Sequence, residues 1–75
     1  MEANFAVKGM IYSKYGKESA LADHLGWSRQ KLNKITTGRK LPNLEELNAL
    51  SGALDEPVDK MLHIFLKQKS PNGQQ

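Results

Sequence analysis

Four residues on one short stretch, Arg29, Gln30, Asn33 and Lys34, carry the donors needed to read a surface rich in hydrogen-bond acceptors. An arginine fork can donate twice to the O6 and N7 of guanine, and a Gln or Asn amide pairs with the N6 and N7 of adenine. Around them, Lys31, Lys34, Arg39 and Lys40 suit phosphate oxygens, contacts that set register and affinity but carry no sequence information.

The segment that holds them, LGWSRQKLNKITTGRK from Leu25 to Lys40, has five basic side chains and no acidic one. It also contains Leu32 and Ile35. On a wheel of about 100° per residue these two fall on one side, with Arg29, Gln30, Asn33 and Lys34 opposite and Lys31 and Thr36 on the flanks. One helix can therefore bury one face and offer donors from the other. Taken alone, this describes any amphipathic surface helix, so the flanking residues must decide. A helix over about 17–25, with Leu21 and Leu25 one turn apart, meets the left-handed stop expected of Gly26. Ser28 then caps a helix that continues to Thr36 or Thr37 and ends at Gly38. Helix, brief turn and capped helix form the helix-turn-helix arrangement, whose second helix enters the major groove of DNA.

The remaining elements support this pair. Val7, Met10 and Ile11 at i, i+3 and i+4 predict a first helix over about 5–15, weakened early by Gly9 and broken by Gly16. In LPNLEEL, Asn43 is an N-cap and Glu46 completes a capping box, opening a fourth helix with Leu44, Leu47, Leu50 and Leu54 on its stripe. Pro57 suits the first turn of a fifth helix whose stripe is Val58, Met61, Leu62 and Phe65. Strand signals are poor, and the reading is all-α: one domain over 1–69, with the helix-turn-helix at about 17–37. The polar end, 70–75, has nothing to bury and reads as a disordered tail.

Bulk composition narrows the function. Seventy-five residues allow one small core, and without cysteine it must rest on apolar packing alone. No apolar run is long enough to span a membrane. MEANFAVKGM lacks the apolar stretch of a secretory signal, so a reducing cytoplasm, close to the nucleoid, is the expected setting. The net charge of +3 is modest, but its distribution is not: residues 8–40 carry +6, whereas residues from 41 onward carry −2. Such polarity suits a face turned toward a polyanion. His24 and His63 lack metal-ligand spacing, the serines lack a His/Asp arrangement, and no glycine-rich phosphate loop occurs. The sequence thus offers no catalytic residue, no metal or cofactor site and no evident small-molecule ligand.

The run ESALADHLGWSRQKLNKITTGRKLPNLEELNALSGAL resembles the helix-turn-helix domain of the phage repressor/Cro superfamily, the XRE family. The likeness rests on Leu21-Ala22, Leu25-Gly26, the Ser28-Arg29-Gln30 opening, Leu32 and Ile35, Gly38 with Arg39-Lys40, and Pro42. It extends over roughly residues 5–66 and implies a five-helix, lambda-repressor-like domain that binds double-stranded DNA at an operator. By position it implies base reading by Arg29, Gln30 and Asn33, joined by Lys34. It implies phosphate contacts from Ser28, Lys31, Thr37, Arg39 and Lys40, and from Lys17 to Ser19 at the opening of the second helix.

Three departures from the family stand out. Lys17-Glu18 replaces the usual hydroxyl cap and Gln, and Glu18 must turn away from any phosphate. Thr36 stands where many members bury a Glu that pairs with an Arg on the first helix. Ile11 falls near that Arg, so an apolar contact between Ile11 and Thr36 is expected. Trp27 is large for the turn and reads as a lid over the junction.

The fifth helix is apolar over about half its wheel once Ile64 and Leu66 are added. Two readings stay open: a helix tucked into a deep groove, or a two-fold homodimer contact through Ile64 and Leu66. The leading function is a sequence-specific transcriptional regulator, a phage-type repressor. The competing one is a protein-interaction module, for an antitoxin or antirepressor, with weak DNA binding.

Overall fold

The computed structural model describes residues 4–69, with side chains as far as Lys67. Five helices follow in order: α1 (Phe5–Tyr15), α2 (Glu18–Leu25), α3 (Arg29–Thr36), α4 (Leu44–Leu54) and α5 (Val58–Lys69). No strand occurs among the described residues. The domain is all-α, as its sequence pattern predicts. The expected tail at 70–75 lies outside the described residues.

Local chemistry sets the helix ends. Asn4 accepts a hydrogen bond from Val7 N–H at 3.1 Å and opens α1. Ser28 Oγ accepts from Lys31 N–H at 3.1 Å and opens α3. Asn43 and Glu46 exchange bonds in both directions, Asn43 Oδ1 accepting at 2.8 Å and Glu46 Oε1 at 2.9 Å, so the capping box is complete. Gly26 closes α2 at φ 75°, a left-handed conformation that a Cβ would strain. It turns the chain sharply enough for Trp27 N–H to reach Ala22 O at 2.9 Å, which sets the entry to α3.

The core draws on all five helices: Val7 and Ile11, Leu21 and Ala22, Leu32 and Ile35, Leu47, Leu50 and Leu54, and Met61 and Phe65. Burial of each large side chain is worth about 1.5–3 kcal/mol, so the two that fix α3 are a substantial part of what holds it in place. Tyr15 adds a polar tie, its hydroxyl donating to Ala53 O at 2.8 Å and joining α1 to α4.

Three expectations need correction. Val58 and Leu62 are exposed, and α5 buries Met61 and Phe65 with Ile64 half-buried against the core. The cause is topological: α5 packs chiefly on α4, so only one stripe is covered. Leu44 is also exposed, and Glu46 is the buried residue in the first turn of α4. Finally, Thr36 does not settle for an apolar contact with Ile11. Its hydroxyl faces Glu18 Oε1 at 3.1 Å and Asn33 O at 3.2 Å, while Glu18 Oε2 pairs with Lys8 Nζ at 3.6 Å. An acid on α2 and a base on α1 thus occupy the neighbourhood where the resemblance placed its buried pair.

Candidate nucleic-acid interface

Helix α3 is held by Leu32 and Ile35, both fully buried, and by Thr36, whose carbonyl accepts from Asn4 N–H at 2.8 Å. Its opposite side carries Arg29, Gln30 and Lys34, all exposed and without a partner among the described residues. Arg29, Gln30 and Asn33 line a shallow depression of about 310 Å³, whose far wall is Glu18 and Ser19. The first turn of α2 therefore stands beside the reading face of α3. Lys17, at the N-cap of α2, makes no side-chain cap, which leaves the first-turn amides open to an outside acceptor. Glu18 turns inward to Lys8 and Thr36, away from that acceptor.

Most basic residues around this face fall into two groups. Lys17, Arg29 and Lys34 are exposed and uncommitted. Lys31 and Lys40 converge on Glu46, Lys31 Nζ lying 3.5 Å from Oε2 and Lys40 Nζ hydrogen-bonded to Oε1. Lys31 Nζ also stands 4.6 Å above the ring of Trp27, close enough for a cation–π contact. Trp27 itself is half-buried against the core, in keeping with a lid on the junction. Burial pushes the Glu46 carboxyl up, but the hydrogen bonds from Lys40 and the Asn43 N–H and the charges of Lys40 and Lys31 outweigh it. The net result holds it below the ordinary carboxylate value. Each ammonium has three donors, so both lysines keep protons for a phosphate while Glu46 holds them.

Arg39 occupies neither group. Its Nη2 donates to Asn33 Oδ1 at 2.7 Å and its Nε to Thr37 Oγ1 at 3.1 Å. Thr37 in turn gives its one hydroxyl proton to Asn33 O at 2.7 Å, and so acts as a bracket for Arg39. Ser28, the cap of α3, accepts from Lys31 N–H and keeps its own proton free to donate. At the other end of the chain, Ile64 is half-buried, while Leu66 is 55 % exposed in line with Leu62 and Val58.

Helix α2, the Gly26 turn and α3 thus present a donor-rich face with the geometry of a helix-turn-helix. A family model described as Helix-turn-helix matches residues 16–61, more than half of the chain. The chain belongs to the XRE family of helix-turn-helix domains. It is accordingly a DNA-binding helix-turn-helix regulator, and the family is one of regulatory domains and not of enzymes. No curated protein and no solved structure matches the chain significantly. No group of metal-ligating side chains occurs among the described residues of this helix-turn-helix domain, and none of its described helices is long and apolar enough to cross a membrane.

Two acids that the sequence pattern does not single out stand beside this face: Glu46, which holds Lys31 and Lys40, and Glu18, which ties Lys8 to Thr36. Glu46 was visible only as half of a capping box, and Glu18 only as a nuisance to phosphate. The available signal was charge balance. Two acids that face basic residues across a turn are natural partners for them.

Proposed function

We propose that this domain is a repressor of the phage type that occupies a double-stranded operator, with α3 in the major groove and two copies on two half-sites. The observation that carries the reading is the outer face of α3. Arg29, Gln30 and Lys34 stand there unpaired, with Asn33 beside them, opposite the buried Leu32 and Ile35. Arg29, Gln30 and Asn33 supply base-edge donors, and Lys34 is long enough to reach a base or a phosphate. Lys17, Ser19, Ser28, Lys31 and Lys40 surround them as backbone anchors. The setting is the cytoplasm, where the nucleoid is the target.

Selection from random duplexes at near-physiological salt tests the reading, because affinity without a stated salt concentration is uninterpretable. A palindromic consensus is expected. Arg29→Ala should then cost about 1–3 kcal/mol at one base position per half-site and relax specificity there. Lys40→Ala should weaken binding on all sequences and flatten the salt dependence. Uniform weak binding, or equal losses on operator and random DNA for both variants, would count for the interaction-module reading. The observation in its favour is the exposed stripe of Val58, Leu62 and Leu66 on α5.

A further inference from the structure

We propose that Arg39 is a specificity-determining residue that reads a guanine, with Asn33 as its brace. The proposal rests on the placement of α3 in the major groove argued above.

The chain delivers Arg39 back onto α3. Gly38 adopts φ 80°, and the following amides of Arg39 and Lys40 both donate to Lys34 O, at 2.9 and 3.0 Å. The guanidinium is then fixed along one edge, Nε on Thr37 Oγ1 and Nη2 on Asn33 Oδ1. Of its five N–H donors, those that remain are the two on Nη1 and one on Nη2. They form a coplanar fork at the end of a plane held by two hydrogen bonds.

The same bond orients Asn33. Arginine has no acceptor, so the atom of Asn33 facing it must be the carbonyl oxygen, and the amide NH2 is the open end of the side chain. That NH2 has no partner among the described residues. Asn33 and Arg39 together therefore turn donors outward, with the Asn33 carbonyl oxygen engaged by Arg39.

A donor-rich surface discriminates between purines. Guanine shows two acceptors in the major groove, N7 and O6, whereas adenine shows the acceptor N7 beside the donor N6. The composite face matches guanine and places an N–H against the N6 amino group of adenine. A phosphate would also accept from the fork of Arg39, but a phosphate contact carries no sequence information, so a selected base pair tells the two roles apart. Asn33, read alone as an adenine partner, becomes part of a guanine reader.

Arg39→Lys keeps the charge and loses the fork, and the consensus separates the two roles: losing a phosphate contact weakens all sequences alike, whereas losing a base contact relaxes one pair. Duplex selection is run with the wild type, Arg39→Lys and Asn33→Ala at one fixed salt concentration, after thermal melts verify that each variant is folded. Wild type should return a consensus containing a G·C pair that Arg39→Lys no longer selects, with operator affinity lower by about 10-fold or more. Asn33→Ala should relax the same pair. A consensus that Arg39→Lys leaves intact, at whatever affinity, overturns the role of Arg39 while leaving the groove reading in place. If Asn33→Ala relaxes only a different pair, the brace is overturned. If wild type selects no consensus, the groove reading itself fails and the assignment of Arg39 fails with it.

Discussion

At the scale of single residues, Glu46 shows how one buried acid can serve two purposes. It completes the capping box of α4 and gathers Lys31 and Lys40 from α3 and the loop that follows. Its side chain is 7 % exposed, so those ammoniums replace much of the water it lost. Glu46→Gln keeps a residue able to cap but removes the charge. Hydrogen bonds to charged groups are worth about 1.5–3 kcal/mol each, and part of this should be lost at pH 7. The sign with pH follows from linkage. The folded carboxyl titrates below the ordinary value of 4.5, so the charged form stabilises the fold above that pH. The contribution is lost as pH falls through the lower, folded value. Denaturant melts of wild type and Glu46→Gln should therefore differ at pH 7 and converge in acid below 4.5. A gap that stays constant from pH 7 into that range would show that Glu46 acts through packing alone.

At the scale of the elements, glycine positions give opposite predictions from one substitution. Gly9 lies inside α1, and a Cβ there would meet nothing within 4 Å. Gly9→Ala should stabilise the domain by about 0.5–1 kcal/mol by limiting the unfolded chain. In a domain of this size that is a rise in Tm of a few degrees. Gly26 also has open space around it, but at φ 75° a Cβ strains the backbone. Gly26→Ala should lower Tm by a comparable or larger amount, and two shifts of the same sign would refute the argument. The legible part of the fold was of this kind. Gly26, Ser28 and the Asn43–Glu46 box are local signals, complete within a few residues, and the helices begin and end beside them. Contacts between elements were less legible. Nothing within the sequence neighbourhood of Glu18 shows that α1 brings Lys8 to it and α3 brings Thr36. The same holds for Arg39, whose bond to Asn33 depends on how Gly38 redirects the loop. In α5 the periodicity is ambiguous, because it counts apolar residues without saying which stripe a neighbour covers. Among the described residues of α5, only Met61 and Phe65 are fully covered, with Ile64 in part.

At the scale of the whole molecule, the uncovered stripe on α5 bears on the proposal that two copies share one operator. Val58, Leu62 and Leu66 follow at i, i+4 and i+8 and are 36 %, 44 % and 55 % exposed. At 1.5 Å per residue the stripe is about 12 Å long. Three partly exposed side chains can bury a few hundred Å² at most, far short of the roughly 1,200–2,000 Å² of a stable interface. A second copy seated on this stripe would therefore associate weakly in free solution. DNA changes the balance, because two adjacent half-sites hold the copies at an effective concentration that a weak contact can exploit. The expected behaviour is a monomer at micromolar concentration without DNA and two copies on a palindromic duplex, bound cooperatively. Leu62→Glu puts a charge at the middle of the stripe, on a side chain the fold does not bury. It should leave the Tm within a few degrees of wild type and the affinity for a single half-site within about 2-fold, while abolishing cooperativity on the pair. Sedimentation with and without the duplex, together with binding to one and two half-sites, measures each quantity separately. Undiminished cooperativity in Leu62→Glu would place the contact between copies elsewhere, and a single copy on the full palindrome would remove it altogether.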